Sequence, residues 1–200
     1  MVRELDCRGL ACPAPVLQTK QIIEKEEPAA IKVIVDNEAA RQNVTRFLEH
    51  QKFQVTAEKL GSDFHLLGSR SGDTTAAEKK TFQEQKAEPR KIMVMVTSDC
   101  VGRGDDELGS KLMVSFLKTL KEMGYDLWRL VFVNNGVKLT VEGSEVLPIL
   151  RELEGESVHI MVCGTCLTHF KLLEKKRVGE TTNMLDIVTA MQVADKVINI

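Results

Sequence analysis

A segment without aliphatic side chains larger than alanine divides this chain of 200 residues. Residues 71–90 carry mixed charges, a single aromatic residue, Phe82, and a proline, Pro89, near the end. Such a segment cannot bury enough apolar surface to compensate for the conformational entropy that ordering removes. The sequence therefore predicts a mobile or partly helical linker over residues 71–90, between one domain over residues 1–70 and another over residues 91–200.

Short strands and helices alternate in the first part of the chain. The β-branched residues at positions 31–35 favour a strand. Apolar residues at helical spacing follow Pro13 and again follow Asp36 and Asn37, either of which can cap a helix. The predicted elements are strands at residues 3–6, 31–35, 53–60 and 64–68 and helices at residues 13–26 and 37–50. Their order, βαβαββ, predicts a small two-layer α/β sandwich.

The second part of the chain opens on a nearly continuous apolar run at residues 91–96, typical of a strand buried on both faces. A helix follows and is expected to stop at Gly124. Further strands are predicted at residues 128–133, 159–162 and 197–200, and helices at residues 105–123, 146–153, 165–175 and 184–195. This alternation predicts a three-layer α/β/α domain with a mainly parallel sheet, in which reactive groups gather at the carboxyl ends of the strands.

Composition and charge exclude several classes of function. The hydrophobic content of 43% and the net charge of −2 are those of a globular protein without an electrostatic preference for nucleic acid or anionic membranes. No apolar run approaches the roughly 20 residues that span a bilayer, and the first residues do not resemble a signal peptide. We therefore expect a cytoplasmic protein with reduced thiols. Its 5 cysteines argue against a structural disulfide framework.

The first candidate site is the sequence Ala-Cys-Pro-Ala-Pro at residues 11–15, where a helix is predicted to begin. Pro13 suits the first helical position, which would place Cys12 at or next to the N-cap, close to the positive end of the helix dipole. Thiols at helix N-termini are partly ionised near neutral pH, and the thiolate is the reactive form. The alternative interpretation is a small buried residue that precedes a proline-started helix.

This opening, Val2 to Lys20, reads VRELDCRGLACPAPVLQTK. It resembles the TusA/SirA-like sulfur-carrier family, which is marked by a Gly-Leu-x-Cys-Pro-x-Pro-Val sequence. The resemblance implies that Cys12 accepts sulfur as a persulfide and passes it to a partner. Cys7 stands where the family has a small inert residue. A Cys7–Cys12 disulfide is one interpretation of Cys7, and a core position at a strand end is the one that we favour.

The second candidate site is the Cys-x-x-Cys pair of Cys163 and Cys166, between a buried strand and the start of a helix. Gly164 allows the chain to turn, and Thr165 is a candidate cap. We expect both sulfurs near the helix N-terminus, where a shared hydrogen bond would lower the pKa of each. This geometry suits either a persulfide on one sulfur or a dithiol–disulfide cycle.

Zinc is the least favoured chemistry for the Cys-x-x-Cys pair. A structural zinc site takes four ligands, usually as two pairs, and this chain has a single Cys-x-x-Cys. His159 and His169 are the candidates to complete a set, but His159 lies on the apolar strand and should point away from the strand end. The sequence therefore predicts neither a metal nor a cofactor.

Two further motifs follow the first strand of the second part. Residues 102–109 are glycine-rich, but they lack the Gly-Lys-Ser/Thr ending of a phosphate loop. Their three acidic residues instead suit the first turn of the next helix. Cys100 lies at the strand end and would face Cys163 if the two strands were neighbours, which makes it a candidate fourth reactive thiol.

The second part is similar to the DsrE/DsrF-like family of sulfur-relay proteins. The likeness rests on Cys163-Gly164-Thr165-Cys166, on Arg177-Val178-Gly179 and on Ala194-Asp195-Lys196-Val197-Ile198. It implies a reactive position that matches Cys163 better than Cys166, and a homo-oligomer formed through this domain. A TusA-like module followed by a DsrE-like module resembles the YedF family of selenium-metabolism proteins.

These observations lead to one main hypothesis and two alternatives. The main hypothesis is a sulfurtransferase-like carrier of persulfide or perselenide, which accepts the chalcogen on Cys12 from a donor such as a cysteine desulfurase. The carrier would pass it to Cys163 or Cys166, or to an unknown acceptor protein. The first alternative is a thiol–disulfide redox protein that uses Cys163 and Cys166. The second is a regulatory or scaffold protein that uses both folds only for binding.

Overall fold

The computed structural model describes residues 2–70 and 89–200. The chain divides into two compact units, Met1–Glu84 and Gln85–Ile200. Each unit is described by itself below. The predicted linker at residues 71–90 lies outside the described residues except for Pro89 and Arg90.

The first unit is a four-stranded sheet with two helices. Its elements are β1 (Val2–Asp6), α1 (Ala14–Glu26), β2 (Ala30–Val35), α2 (Glu38–His50), β3 (Gln54–Leu60) and β4 (Asp63–Ser69). The strand order is β1-β2-β4-β3. β1 and β2 are parallel, and the other two pairs are antiparallel. The predicted βαβαββ order and fold class are confirmed.

The core of the first unit forms between the sheet and its helices. Alternate residues of β2, namely Ile31, Val33 and Val35, are fully buried, as are Val44 and Leu48 of α2. Burying one such side chain contributes about 1.5–3 kcal/mol. The alternation of period 2 in β2 and the spacing of four residues in α2 place these side chains on facing surfaces. The two helices are thereby fixed on one face of the sheet, with the start of α1 beside the start of α2.

The second unit is a five-stranded sheet in which every strand pair is parallel. Its strands are β5 (Ile92–Val96), β6 (Leu127–Phe132), β7 (His159–Cys163), β8 (Glu180–Thr182) and β9 (Lys196–Asn199). Its α-helices are α3 (Asp106–Thr119), α4 (Leu147–Gly155), α5 (Gly164–His169) and α6 (Met184–Val193). Short 3₁₀ segments cover Leu120–Asp126, Asn134–Thr140 and Leu173–Lys175. The predicted α/β class is confirmed.

The strand order of this sheet, β8-β7-β6-β5-β9, decides where the helices lie. The chain moves from β5 to β6 to β7 in one direction and returns from β8 to β9 at the opposite edge. Because parallel crossovers are right-handed, α3 and α4 cover one face and α6 covers the other. Buried residues of the two layers include Met113 and Leu117 of α3 and Ile187 and Ala190 of α6.

Three local predictions for the second unit differ from the structure. The strand β8 was not predicted, because three residues without apolar alternation give no strand signal. The predicted helix at residues 105–123 ends as an α-helix at Thr119, whose hydroxyl donates to the carbonyls of Ser115 and Phe116. The predicted helix at residues 165–175 is the six-residue α5 followed by a separate 3₁₀ turn.

Candidate functional site

Cys12 is exposed and lies in the loop between β1 and α1. Pro13 occupies the N-cap, not the first helical position as predicted, and Pro15 lies in the first turn. The Cys12–Pro13 peptide bond is cis. Cys12 therefore precedes the N-cap by one residue, still beside the positive end of the α1 dipole.

The thiol of Cys12 lines a small apolar slot of about 90 Å³ between the starts of α1 and α2. The other lining residues are Leu10, Ala11, Pro13, Pro15, Val16, Asn37, Ala39, Ala40 and Asn43. Small side chains and prolines dominate this surface. An exposed nucleophile beside a shallow apolar slot can meet a reactive group that another protein presents.

Two charged contacts fix the loop that leads to Cys12. The N–H of Gly9, at φ +72°, donates to Asp36 Oδ2 over 2.6 Å. This hydrogen bond, followed by one from Asn37, lowers the pKa of Asp36. The Arg8 guanidinium bonds to Asp6, whose pKa it lowers to about 2, and also pairs with Asp63 over 3.2 Å. The loop is thus tied at Arg8 and Gly9 to residues at the ends of the strands.

Cys7 belongs to the core of the first unit, as the favoured interpretation requires. Only 1% of its surface is exposed, and its thiol donates to Gln18 Oε1 over 3.8 Å. Burial, with a smaller effect of the Asp6 charge, raises the pKa of Cys7 to about 11. None of the 5 cysteines, all of which lie in the described residues, forms a disulfide, so the alternative Cys7–Cys12 disulfide is absent.

Cys163 ends β7 and is the N-cap residue of α5. Its exposed surface is only 3%, whereas Cys166, one turn further on, is partly exposed. Thr165 lies inside the helix, so its predicted role as the cap is wrong. Of the two thiols, Cys166 is therefore the one that solvent can reach.

The environment of Cys166 contradicts one prediction. Burial raises the pKa of Cys166, and a hydrogen bond with Cys163 raises it further. The backbone N–H of Asn134, which donates to Cys166 Sγ over 3.1 Å, acts in the opposite direction but is the smaller effect. The expectation that the two thiols lower each other's pKa is thus wrong for Cys166.

Asn134 is a site residue that sequence reasoning missed. It follows β6 at the carboxyl edge of the sheet, where Cys163 ends the neighbouring β7. Its φ of +50° is left-handed, a conformation that asparagine tolerates better than most residues. The sequence does contain a signal for a turn at this position, because Asn134 and Asn135 precede Gly136 directly after an apolar strand.

Cys100 does not face Cys163, because β6 lies between β5 and β7. Its sulfur lies 3.3 Å from Ser110 Oγ and 3.6 Å from the carbonyl of Asp106. The acidic residues beyond it start α3 as predicted: the Asp105 side chain accepts the Leu108 N–H over 2.8 Å. The acidic part of the glycine-rich run is therefore a helix start.

The histidines considered for zinc do not complete a ligand set with the cysteine pair in the described residues. His159 starts β7, at the opposite end from Cys163, and pairs with Glu180 over 3.0 Å. His169 ends α5 and packs edge-on against Phe170. Within residues 2–70 and 89–200, no group of three or more candidate ligands could hold a metal ion. Nor is any described helix long and apolar enough to cross a membrane.

Comparison with known proteins now assigns both units. Residues 3–68 match the family described as sulfurtransferase TusA. Residues 91–200, more than half of the chain, match the DsrE/DsrF-like family. The chain belongs to the DsrE/DsrF-like family and carries a TusA domain before it. The predicted family resemblance of both parts is confirmed, and the combination supports a role in carrying or relaying sulfur.

Individual relatives match parts of the chain. A protein of Methanocaldococcus jannaschii, named as a candidate sulfur carrier, is 35% identical over 68 residues, which are 33% of this chain and 91% of that protein. The crystal structure of a SirA-like protein from Desulfitobacterium hafniense is 28% identical with a TM-score of 0.32, covering 34% of this chain and 96% of that one. The crystal structure of the ychN protein from E. coli is 18% identical with a TM-score of 0.45, covering 56% of this chain and 99% of that one.

Proposed function

We propose that this chain is a sulfur carrier that holds sulfur as a persulfide on Cys12. The observation that carries the proposal is the exposed Cys12 thiol beside the start of α1, in the domain that matches the TusA family. The order of the two domains also fits the YedF family, so we extend the proposal to selenium as a perselenide. A thiolate attacks either chalcogen by the same chemistry.

The loading step requires a donor protein that carries a persulfide, such as a cysteine desulfurase. The Cys12 thiolate attacks the outer sulfur of the donor persulfide. A new S–S bond forms on Cys12, the S–S bond of the donor breaks, and the donor cysteine leaves as a thiolate. The sulfane sulfur is transferred from the donor cysteine to Cys12 without net oxidation or reduction. This step uses neither a metal nor a cofactor.

We propose that the second unit receives this sulfur on the pair of Cys163 and Cys166. Cys166 is the better entry point, because Cys163 is almost fully buried. The Asn134 N–H already donates to Cys166 Sγ and can stabilise negative charge there. An acceptor protein would take the sulfur from either unit in the next step. We also propose that the protein forms a homo-oligomer through the second unit and that it acts in the cytoplasm.

The test uses the full chain with a cysteine desulfurase and cysteine, followed by digestion and peptide mass measurement. We expect a gain of about 32 Da on the Cys12 peptide and then on the peptide of Cys163 and Cys166. Cys12→Ser should abolish both gains, Cys166→Ser only the second, and the matched control Cys100→Ser neither. An unmodified Cys12 peptide, or a gain on the second unit of Cys12→Ser, would contradict the proposal.

A thiol–disulfide redox protein is the second candidate, supported by the hydrogen bond between Cys163 and Cys166. In this role the dithiol of Cys163 and Cys166 would give two electrons to the disulfide of a partner protein. The partner would be reduced, and a Cys163–Cys166 disulfide would form. Titration of the full chain against glutathione buffers would detect that disulfide by its mass. The scaffold alternative predicts that Cys12→Ala leaves function unchanged, which the desulfurase experiment also tests.

A further inference from the structure

A polar cleft of about 320 Å³ lies beside α6 on the face of the second sheet that this helix covers. Side chains of β6, β7 and β8 form its floor, and Asp186 and Thr189 of α6 form its wall. The floor contains the guanidinium of Arg129 and the pair of His159 and Glu180. Cys163 and Cys166 do not line this cleft.

Arg129 is the unusual member of the cleft, because its charge is not neutralised. Its Nη1 donates to Met161 Sδ over 3.6 Å, a weak acceptor, and its Cζ lies 4.1 Å from the Trp128 ring centre. Its Nε is sealed from solvent without an acceptor. No carboxylate in the described part of the chain lies at ion-pair distance from this guanidinium.

The carboxylates of the cleft are already engaged elsewhere. Glu180 Oε2 pairs with His159 Nε2 over 3.0 Å. Asp186 Oδ2 accepts from the Thr182 hydroxyl over 3.1 Å and from the Asn183 amide over 2.7 Å. A half-buried cation that is left without a counter-ion is poorly explained by stability alone.

A β-bulge fixes the position of Arg129. Ile92 pairs with Leu127 and Met93 pairs with Arg129, so Trp128 is an extra residue in β6. Bulges re-aim side chains and are common beside functional sites. This one brings the Trp128 ring against the guanidinium, which orders a long side chain before any ligand binds.

We propose that this cleft binds a small zwitterion of the α-amino acid class. The carboxylate of the ligand would pair with the terminal nitrogens of Arg129, the geometry in which guanidinium groups bind carboxylates best. A simple anion would also meet Glu180 and Asp186, whereas an ammonium group on the ligand complements them. The cleft volume lies at the lower end of the range for small-molecule sites, which suits a ligand larger than a single ion.

Titration of the full-length, isotope-labelled protein with glycine and L-serine, followed by NMR, tests the proposal. We expect saturable shifts at the amides of β6, β8 and α6, with weaker binding of acetate and none of ethylamine. Arg129→Met keeps an unbranched side chain against Trp128 without the charge, and should weaken binding about 10-fold or more. Its melting temperature should equal or exceed that of the wild type.

Lys91→Met is the matched control, because Lys91 Nζ lies 5.7 Å from the same Trp128 ring but does not line the cleft. This variant should bind glycine as the wild type does. Absence of saturable shifts, binding by Arg129→Met equal to that of the wild type, or acetate binding as tight as glycine would overturn the proposal. None of these outcomes depends on persulfide transfer, so the sulfur proposal is tested separately.

Discussion

At the scale of single residues, the cysteines differ in how deeply they are buried and in the groups that contact their sulfur atoms. Cys12 is exposed at a helix start, Cys7 is enclosed by apolar side chains, and Cys166 lies between a buried thiol and a backbone N–H. The sequence shows that a cysteine precedes a helix but not how deeply a loop buries it. Prediction from sequence therefore located the thiols but gave the wrong direction for the pKa of Cys166.

The stability of the first unit should fall at alkaline pH through Cys7. The folded-state pKa of about 11 lies above the ordinary value of 9.0, so the unfolded chain loses this proton first. The contribution is complete below about pH 9 and is lost as pH rises toward about 11. Urea unfolding across this range should show the advantage of wild type over Cys7→Ala shrinking. A constant difference would contradict the prediction.

Cys163→Ala should make Cys166 more reactive. The Cys163 thiol raises the pKa of Cys166, so its removal lowers that pKa and increases the thiolate fraction near about pH 8. The rate of iodoacetamide labelling of the Cys166 peptide measures the effect, with the Cys12 peptide as the internal reference. The reactivity of Cys166 should still rise with pH, because the burial effect remains. Slower labelling in the variant would disprove the effect of Cys163.

At the scale of elements, Gly136 determines how the segment after β6 reaches Cys166. A Cβ on Gly136 would lie 2.3 Å from the carbonyl oxygen of Val96, which is backbone and cannot move aside. Gly136→Ala should therefore cost about 1–3 kcal/mol in urea unfolding and displace Asn134 from Cys166. Gly155→Ala is the control, because nothing lies within 4 Å of its Cβ at the end of α4.

We expect Gly155→Ala to be neutral or to stabilise by up to about 1 kcal/mol, since alanine is the better helix former. Equal free energies of unfolding for the two variants would show that the close approach at Gly136 does not matter. The Asn134 amide resonance should shift in Gly136→Ala alone.

Most helices and strands were predictable because their apolar residues repeat with the period of the element. The long strands β5, β6 and β7 and the amphipathic α3 carry that signal over several turns or pleats. The strand β8 carries none, since parallel pairing with β7 and not its composition makes it a strand. Arg129 was also missed, because a charge inside an apolar strand shows neither its partners nor the bulge beside it.

At the scale of the molecule, the two units have separate cores that share no residue. Leu48 belongs to one and Leu117 to the other, and both are fully buried. Leu48→Ala and Leu117→Ala should each cost about 2–5 kcal/mol, but in different thermal transitions. Calorimetry should show one transition shifted in each variant. A common shift of a single transition would mean that the units unfold together.

The variants Leu48→Ala and Leu117→Ala also test whether persulfide loading of Cys12 depends only on the folding of the first unit. Leu117→Ala leaves the first unit unchanged, so Cys12 should still gain persulfide at temperatures where the second unit is partly unfolded. Leu48→Ala should lose that gain at its own transition. Peptide mass measurement across a temperature series would follow both.

The position of β9 beside β5 has a consequence for synthesis on the ribosome. The strands of the first unit are contiguous in sequence, so its sheet can close as soon as β4 has emerged. The outer edge of β5 stays unpaired until the ribosome has made Lys196–Asn199, about 100 residues beyond Val96. Synthesis of those residues takes roughly 5–20 s. During that interval the nascent chain presents an unpaired apolar edge of the kind that pairs with other chains. A ribosome stalled before β9 would therefore hold a folded first unit and a four-stranded second sheet whose unpaired β5 edge is prone to aggregation.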